Sequence, residues 1–152
     1  MKIRYWLLIL IVFSSTVFAQ RQKKHDQIGV GVQLSLPIIG LSGIYKVTPQ
    51  IGVQGIIGLV SALKFYGVKG NYYFKTRMIY KPYVFGMFGS ATYTLGNSSD
   101  SVGAYGLGGG VEYISNNIGY GVEFGYGSFD FESLDTSVSS FIVGVGLHYY
   151  LQ

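Results

Sequence analysis

From residue 27 onward, large apolar residues alternate with small or polar ones at a period of two, which is typical of β-strands. In the first such segment, Ile28, Val30, Val32, Leu34 and Leu36 alternate with Gly29, Gly31, Gln33 and Ser35. The same alternation recurs in seven further segments, which are separated by polar, proline-containing or asparagine-containing turns. The pattern therefore predicts eight strands: Gln27–Leu36, Ile39–Val47, Ile51–Val60, Phe65–Phe74, Tyr80–Leu95, Val102–Ile114, Ile118–Ser128 and a last strand around Phe141–Tyr149.

One face of these strands is apolar and aromatic, and the other carries glycine, small polar residues and a few charges. The glycine-rich face has too few charges to be a hydrated exterior, so we expect the apolar face to point outward. Strands of about ten residues in an even number suit a tilted crossing of a lipid bilayer. The sequence predicts an eight-stranded antiparallel up-and-down transmembrane β-barrel, an all-β fold.

Aromatic residues on the apolar face refine this prediction. Tyrosines near strand ends are typical of the aromatic ring that a membrane barrel places at each lipid–water interface. We assign this role to Tyr45, Tyr72, Tyr83, Tyr113, Tyr120 and Tyr149. In the strand Tyr80–Leu95, the alternation assigns Tyr83, Phe85, Met87 and Ala91 to the lipid-facing side.

Composition supports a membrane environment. Charged residues make up 12% of the chain, about half the usual share of a soluble domain. An aromatic content of 16% argues against intrinsic disorder, and the absence of cysteine excludes disulfides and thiolate metal sites. The net charge of +4 arises largely near the N-terminus. No basic stripe interleaved with aromatics is present, so we expect no nucleic-acid partner.

The first 19 residues have the layout of a secretory signal peptide. Lys2 and Arg4 precede the apolar stretch Leu7–Phe13, and Val17-Phe18-Ala19 has small residues at the two positions that define a cleavage site. The apolar stretch is shorter than the roughly 20 residues that a spanning helix needs. The expected organisation is a signal peptide at 1–19, a polar tail at 20–26 and the barrel at 27–152.

The connections between strands give the barrel a direction. If the N-terminus lies in the periplasm, the segments Thr48–Gln50, Lys75–Ile79 and Ser115–Asn117 become periplasmic turns. The outer loops are then Pro37–Ile38, Ser61–Lys64, Gly96–Ser101 and Phe129–Ser137. The two longest segments fall on the outer side, as is usual for outer-membrane barrels.

In this pattern the chain resembles the small outer-membrane β-barrel proteins, the group of the OmpA transmembrane domain, OmpX and the opacity porins. The C-terminal residues Gly146, Leu147, Tyr149 and Leu151 are similar to the signal by which the barrel assembly machinery recognises its clients, although leucine replaces the usual aromatic and Gln152 follows it. The resemblance implies a monomer in the outer membrane of a Gram-negative bacterium. Its partners would be outer-membrane lipid, lipopolysaccharide and the assembly machinery, and it would need no cofactor.

Five ionisable residues fall on the predicted inner face: Lys46, Lys69, Glu112, Glu123 and His148. Charges in a narrow interior must be paired or hydrated. We expect a charge network that plugs the lumen and gives the protein a structural or surface-interaction role. A narrow gated pore is the alternative, because charges within a membrane often mark ion pathways.

Two further functions are kept open. A barrel enzyme that modifies lipid A would need a serine, a histidine and an acid near the lipid interface. The sequence contains His25, in the polar tail, and His148, which the alternation directs inward, so we expect no catalytic residues. A secreted protein that self-assembles through its aromatic strands is the other possibility.

Two apparent ligand motifs are weak. The loop acids Asp100, Asp130, Glu132 and Asp135 match no calcium-loop spacing, and we expect an acidic, hydrated rim instead of a metal site. Phe129–Glu132 also alternates and could extend the seventh strand. The glycines of Gly106–Gly110 lack the lysine and the following helix of a phosphate-binding loop.

Overall fold

The computed structural model describes residues 28–60, 63–95, 98–131 and 136–151. Eight strands follow one another along these residues. They are β1 (Ile28–Leu36), β2 (Ile38–Lys46), β3 (Ile51–Val60), β4 (Leu63–Tyr73), β5 (Tyr80–Leu95), β6 (Ser98–Ser115), β7 (Ile118–Phe131) and β8 (Thr136–Leu151). The prediction of eight strands is confirmed, and the bounds of β3 and β5 are those expected from the sequence.

The strands form one closed antiparallel barrel in chain order. Each strand pairs with its neighbour in the sequence, and β1 closes the ring by pairing with β8 from Ile28 opposite Leu151 to Leu36 opposite Val143. Closure gives the backbone polar groups of both β1 and β8 a partner strand, as a span through lipid requires. Within the described ranges, no helix is long and apolar enough to cross a membrane.

The two ends of the barrel differ in their connections. At the end that we name the turn end, residues 47–50, 74–79 and 116–117 join the strands, and β1 begins and β8 ends there. Asn116 and Asn117 have φ values of 49° and 66°, a left-handed conformation that asparagine tolerates better than most residues. The loop end is the opposite end, where Pro37 joins β1 to β2.

The expected outer loops were too long. Ile38 belongs to β2, Leu63 and Lys64 belong to β4, and Ser98–Ser101 belongs to β6. Likewise, β7 continues to Phe131 and β8 begins at Thr136, so strand seven does extend beyond the predicted Ser128. Polar residues end the apolar alternation but not the ladder, because backbone pairing needs no apolar side chain. The residues that remain between strands at 61–62, 96–97 and 132–135 lie outside the described ones.

The apolar face points outward, as predicted. Exposed side chains run along every strand, among them Val32, Leu41, Ile57, Phe88, Leu107, Phe124 and Val145. A ring of exposed tyrosines, each within three residues of a strand terminus, surrounds the turn end; we name it the tyrosine girdle, and its members are Tyr45, Tyr72, Tyr80, Tyr113, Tyr120 and Tyr149. The rings of Tyr80 and Tyr113 lie 5.6 Å apart, and those of Tyr113 and Tyr120 lie 6.3 Å apart.

The orientation predicted for β5 was wrong. Tyr83, Phe85, Met87 and Ala91 are buried inside the barrel, and Tyr80 takes the place in the girdle that was assigned to Tyr83. Both faces of β5 carry bulky residues, so its alternation is ambiguous. Glycines on the paired strand β6 decide it: a Cβ at Gly110 would lie 2.6 Å from the Tyr83 ring, and one at Gly108 would lie 2.7 Å from the Phe85 ring. The interior therefore has room for these two β5 rings because the positions opposite them on β6 carry no side chain.

Candidate functional site: the barrel lumen

The lumen has two halves of different chemistry. Toward the turn end, the buried side chains include the five ionisable residues expected there, Lys46, Lys69, Glu112, Glu123 and His148, each at most 7% exposed. Toward the loop end, the buried side chains are mainly apolar. The order of these halves along the barrel axis determines what could pass through the lumen.

Glu123 on β7 is the centre of one polar cluster. Its Oε2 lies 2.7 Å from Lys69 Nζ on β4 and accepts a bond of 3.2 Å from the Tyr83 hydroxyl. Its Oε1 accepts from Gln33 Nε2 at 2.8 Å and from Ser35 Oγ at 2.7 Å. Both carboxylate oxygens are thus satisfied by donors from β1, β4 and β5, which offsets the cost of burying the charge.

Glu112 on β6 forms a second cluster nearer the turn end. Its Oε2 lies 2.7 Å from Lys46 Nζ, and its Oε1 accepts a hydrogen bond from the Tyr150 hydroxyl. The Lys46 ammonium also lies over two aromatic rings, 4.4 Å from the centre of Tyr150 and 4.8 Å from that of Tyr73. Ring faces attract a desolvated cation, so this lysine is held by one carboxylate and two rings.

Further polar side chains extend the Glu123 cluster. His148 Nε2 lies 2.7 Å from Ser42 Oγ and 3.3 Å from Gln54 Nε2. Gln54 also donates to Gln33 Oε1 at 3.1 Å, and Gln33 reaches Glu123. The five ionisable residues therefore share the turn-end half with a hydrogen-bonded amide and hydroxyl relay.

A small cavity of about 20 Å³ lies among Gln54, Lys69, Asn71, Tyr83, Glu112 and His148. It has room for one or two water molecules and is far below the several hundred Å³ of a small-molecule site. Asn71 lies in its wall, 4% exposed, and its Oδ1 has no hydrogen-bond partner. No group of three or more metal-ligating side chains occurs among the residues that the structure describes.

The loop-end half is filled by apolar side chains. The buried residues there are Ile38, Ile56, Phe65, Met87, Ala91, Val102, Ala104 and Ile142, with Val60 and Phe129 packed against them. Phe65 is fully buried, and its ring lies where Cβ atoms at Gly67 and Gly89 would stand, 2.6 Å from each. Ser128 is also buried near this end and accepts from Ser139 at 3.4 Å. Among the described side chains, none of those buried in this half carries a charge.

The sequence indicated the ionisable residues of the lumen but not their polar partners. Gln33, Ser42 and Gln54 were recognisable as inward by alternation, but their roles required the register between strands. Tyr83 was assigned to the wrong face, and Tyr150 was not singled out, although its position between His148 and Gln152 gives it the inward parity. A hydrogen-bonding side chain at a position that the alternation directs inward is the sequence feature that would have indicated these residues.

The remaining residues that the sequence singled out lie outside the charged clusters of the lumen or outside the described residues. Gly146 faces the lumen, and Leu147, Tyr149 and Leu151 are exposed on the outer face of β8. Asp130 is half-buried near the loop end of β7, and Asp100 lies in β6. Glu132, Asp135 and His25, together with the predicted signal peptide and polar tail, lie outside the described residues.

No protein-family model matches the chain, and no curated protein matches it. Solved structures are similar in fold. The N-terminal β-barrel domain of Pseudomonas aeruginosa OprF is 14% identical with a TM-score of 0.59, and the match covers 84% of this chain and 100% of that one. Neisserial surface protein A is 17% identical with a TM-score of 0.53, over 84% of this chain and 96% of that one.

The fold is that of the small eight-stranded outer-membrane β-barrels. At these identities the likeness concerns the fold alone.

Proposed function

We propose that this chain is an outer-membrane β-barrel protein of a Gram-negative bacterium, with a structural or surface-interaction role in the cell envelope and a lumen closed to ions. The observation that carries the proposal is the distribution of side chains across the wall. The outside is apolar and ends in a tyrosine girdle, and the inside is filled by paired charges in one half and by apolar side chains in the other.

The apolar outside supports the membrane location. Outward residues such as Leu41, Ile57 and Phe88 are 64–68% exposed. A continuous apolar surface of this kind is rare on a water-soluble monomer. The barrel is then a monomer whose partners are outer-membrane lipid at its wall and lipopolysaccharide near its loop end. With this topology the turn end faces the periplasm.

The C-terminal strand fits a client of the barrel assembly machinery. Leu147, Tyr149 and Leu151 form an apolar row on the outer face of β8, beside its pairing with β1. The row matches the C-terminal pattern of such clients, so it is the feature that the machinery would recognise. Replacing Tyr149 with Ser while retaining the inward residues would slow assembly in cells without altering the purified, refolded barrel.

The role is tested in three steps. Fractionation with an outer-membrane marker tests the location, and a heat-dependent gel shift in detergent tests the closed barrel. A deletion strain, compared for envelope permeability and lipid composition with complemented strains, tests the role. Recovery of the protein in the soluble periplasm, or formation of fibres without any detergent-soluble fold, would contradict the proposal.

A gated pore is less well supported than a lumen that is closed to ions. An ion that passed the Lys69–Glu123 pair would still meet Ile56, Phe65 and Ile142, which offer no polar group to replace its hydration. Rearranging the ion pairs alone would not create a conducting path.

A lipid-modifying enzyme is also poorly supported. Ser42 and His148 do lie within hydrogen-bond distance, at 2.7 Å, but they are 6% and 7% exposed inside the lumen and do not face lipid. The nearest acids, Glu112 and Glu123, direct their oxygens to lysines, hydroxyls and Gln33. Analysis of lipid A from the deletion strain would reveal such an activity as a missing modification.

A further inference from the structure

The connection between β4 and β5, residues 74–79, differs in character from the other connections at the turn end. Phe74, Met78 and Ile79 are 47%, 73% and 67% exposed, and Lys75 and Arg77 are exposed beside them. We name this segment the basic turn. Met78 and Ile79 together present an adjoining apolar surface, and the exposed cations beside it restrict what could cover that surface.

The backbone of the basic turn is held in place. Phe74 N–H donates to the Pro82 carbonyl at 2.9 Å, which closes the base of the turn. Met78 N–H donates to Thr76 Oγ1 at 3.1 Å, which fixes its tip. The exposed side chains are therefore presented from an ordered connection that is tied to the barrel wall.

The tyrosine girdle gives the level of this segment in the membrane. Tyr72 and Tyr80 flank the basic turn in the chain, and both are exposed members of the girdle. Tyrosine rings lie at the boundary between hydrocarbon and headgroups. The Tyr72 ring also packs edge-on against Phe74 at 5.5 Å. The basic turn thus begins where the hydrocarbon ends, at the depth of the lipid phosphates.

The neighbouring turns at this end provide an internal contrast. Residues 47–50 contain Val47, Thr48, Pro49 and Gln50, and the β6–β7 turn is Asn116-Asn117. In the described chain neither of these combines an exposed cation with an exposed apolar side chain. The carboxylates of Glu112 and Glu123 are buried in the lumen, so they do not compete for Lys75 and Arg77.

We propose that the basic turn is an anchor that binds the phosphates of anionic phospholipids in the leaflet at the turn end. Lys75 and Arg77 pair with headgroup phosphates, and Met78 and Ile79 insert into the adjoining acyl region. This arrangement combines the two attractions of an interfacial segment, apolar burial and electrostatic binding to anionic lipid. The proposal rests on the membrane location proposed above and adds the class of lipid bound.

Tryptophan fluorescence tests it, because Trp6 is the single tryptophan of the chain. In a Trp6→Phe background, Met78→Trp reports on the basic turn, Pro49→Trp on a control turn at the same end, and Phe124→Trp on the lipid-facing wall. Each protein is refolded into vesicles of phosphatidylcholine, or of phosphatidylcholine mixed with phosphatidylglycerol. Lipids brominated near the headgroup end of the acyl chains serve as quenchers for the turn variants, and lipids brominated deeper in the acyl chains serve for Phe124→Trp.

We expect Met78→Trp to be quenched and blue-shifted more strongly in the mixed vesicles, and Pro49→Trp to remain unquenched in both. Adding Lys75→Gln and Arg77→Gln should remove the preference for phosphatidylglycerol. Each basic side chain near an anionic surface contributes about 1 kcal/mol, or roughly fivefold in partitioning. High salt should weaken the preference in the same way.

Two results would overturn the proposal and differ in what else they affect. In the first, Phe124→Trp is quenched but Met78→Trp is not, or the quenching of Met78→Trp changes neither with phosphatidylglycerol nor with the glutamine substitutions. The anchor is then wrong, while the membrane location of the barrel is retained. If Phe124→Trp itself is unquenched, the membrane location fails and the anchor fails with it. The gel shift of each variant shows that the barrel has folded.

Discussion

Lys69 and Glu123 meet inside the barrel with Nζ 2.7 Å from Oε2, although 54 residues separate them and their strands are not neighbours. The contact therefore depends on the closure of the whole ring. Lys69 is 1% exposed and lies 5.0 Å from the centre of the Phe85 ring. It is the most deeply buried charge of the described residues.

Removing one partner of this pair should destabilise the barrel strongly. Glu123→Gln leaves the Lys69 ammonium buried without its counter-charge, and breaking such a pair costs about 3–5 kcal/mol. Urea unfolding in lipid vesicles, followed by the gel shift, measures the change. Asp130→Asn, at the half-buried loop end of the same strand, is the matched control and should change stability by less than about 0.5 kcal/mol.

Replacing both partners should restore much of the loss. Lys69→Met with Glu123→Leu removes both charges and fills the space with apolar groups, and such exchanges are often neutral or stabilising. A double variant as unstable as Glu123→Gln would mean that the bonds from Gln33, Ser35 and Tyr83 to Glu123 matter more than the ion pair.

Breaking the Lys69–Glu123 ion pair should not make the barrel conduct ions. We expect Glu123→Gln to show no more current in planar bilayers than the unchanged protein, because the apolar half of the lumen still excludes ions. Phe65→Ser, which puts a small hydroxyl in the middle of that half, should be the more conductive of the two. Discrete openings produced by Glu123→Gln alone would support the gated pore.

Substitution by alanine should destabilise the barrel at one glycine and leave it unchanged at another. A Cβ at Gly144 on β8 would collide with Ser35 Oγ and lie 2.7 Å from Ser35 Cβ, so the serine must move away from Glu123. We expect Gly144→Ala to cost about 1–3 kcal/mol, the range for overpacking. Gly55 on β3 faces outward with no atom within 4 Å of a Cβ, so Gly55→Ala should be neutral. Equal effects in urea unfolding would mean that inward packing at β8 is looser than the structure indicates.

The β6–β7 turn should discriminate between substitutions at Asn117. Its φ of 66° suits glycine and asparagine, and a β-branched residue there would be strained by about 1–2 kcal/mol. We expect Asn117→Gly to fold as well as the unchanged chain and Asn117→Val to unfold at lower urea. Comparable midpoints for both variants would contradict a left-handed turn.

The sequence predicted the strand count, the antiparallel order and the outward apolar face because these follow from period-two alternation within each segment and from the short turns between segments. It failed for the orientation of β5, because both faces of this strand carry bulky apolar residues: Tyr83 and Phe85 on one face, and Val84 and Phe88 on the other. Local alternation carries no information there. It also ended β6, β7 and β8 at polar residues at the loop end, although a backbone ladder continues through serine and aspartate as readily as through valine.

For the candidate site, parity was enough to direct five ionisable residues inward, but it could not pair them. Lys46 bonds to Glu112 and Lys69 to Glu123 because the register of eight strands brings those levels together, and no spacing in the chain encodes this. The sequence by itself determined that a barrel forms and which groups it must bury. The tertiary structure decided the orientation of β5, the partners of each charge and the separation of the lumen into polar and apolar halves, since these depend on where distant strands meet and on how much space their glycines leave.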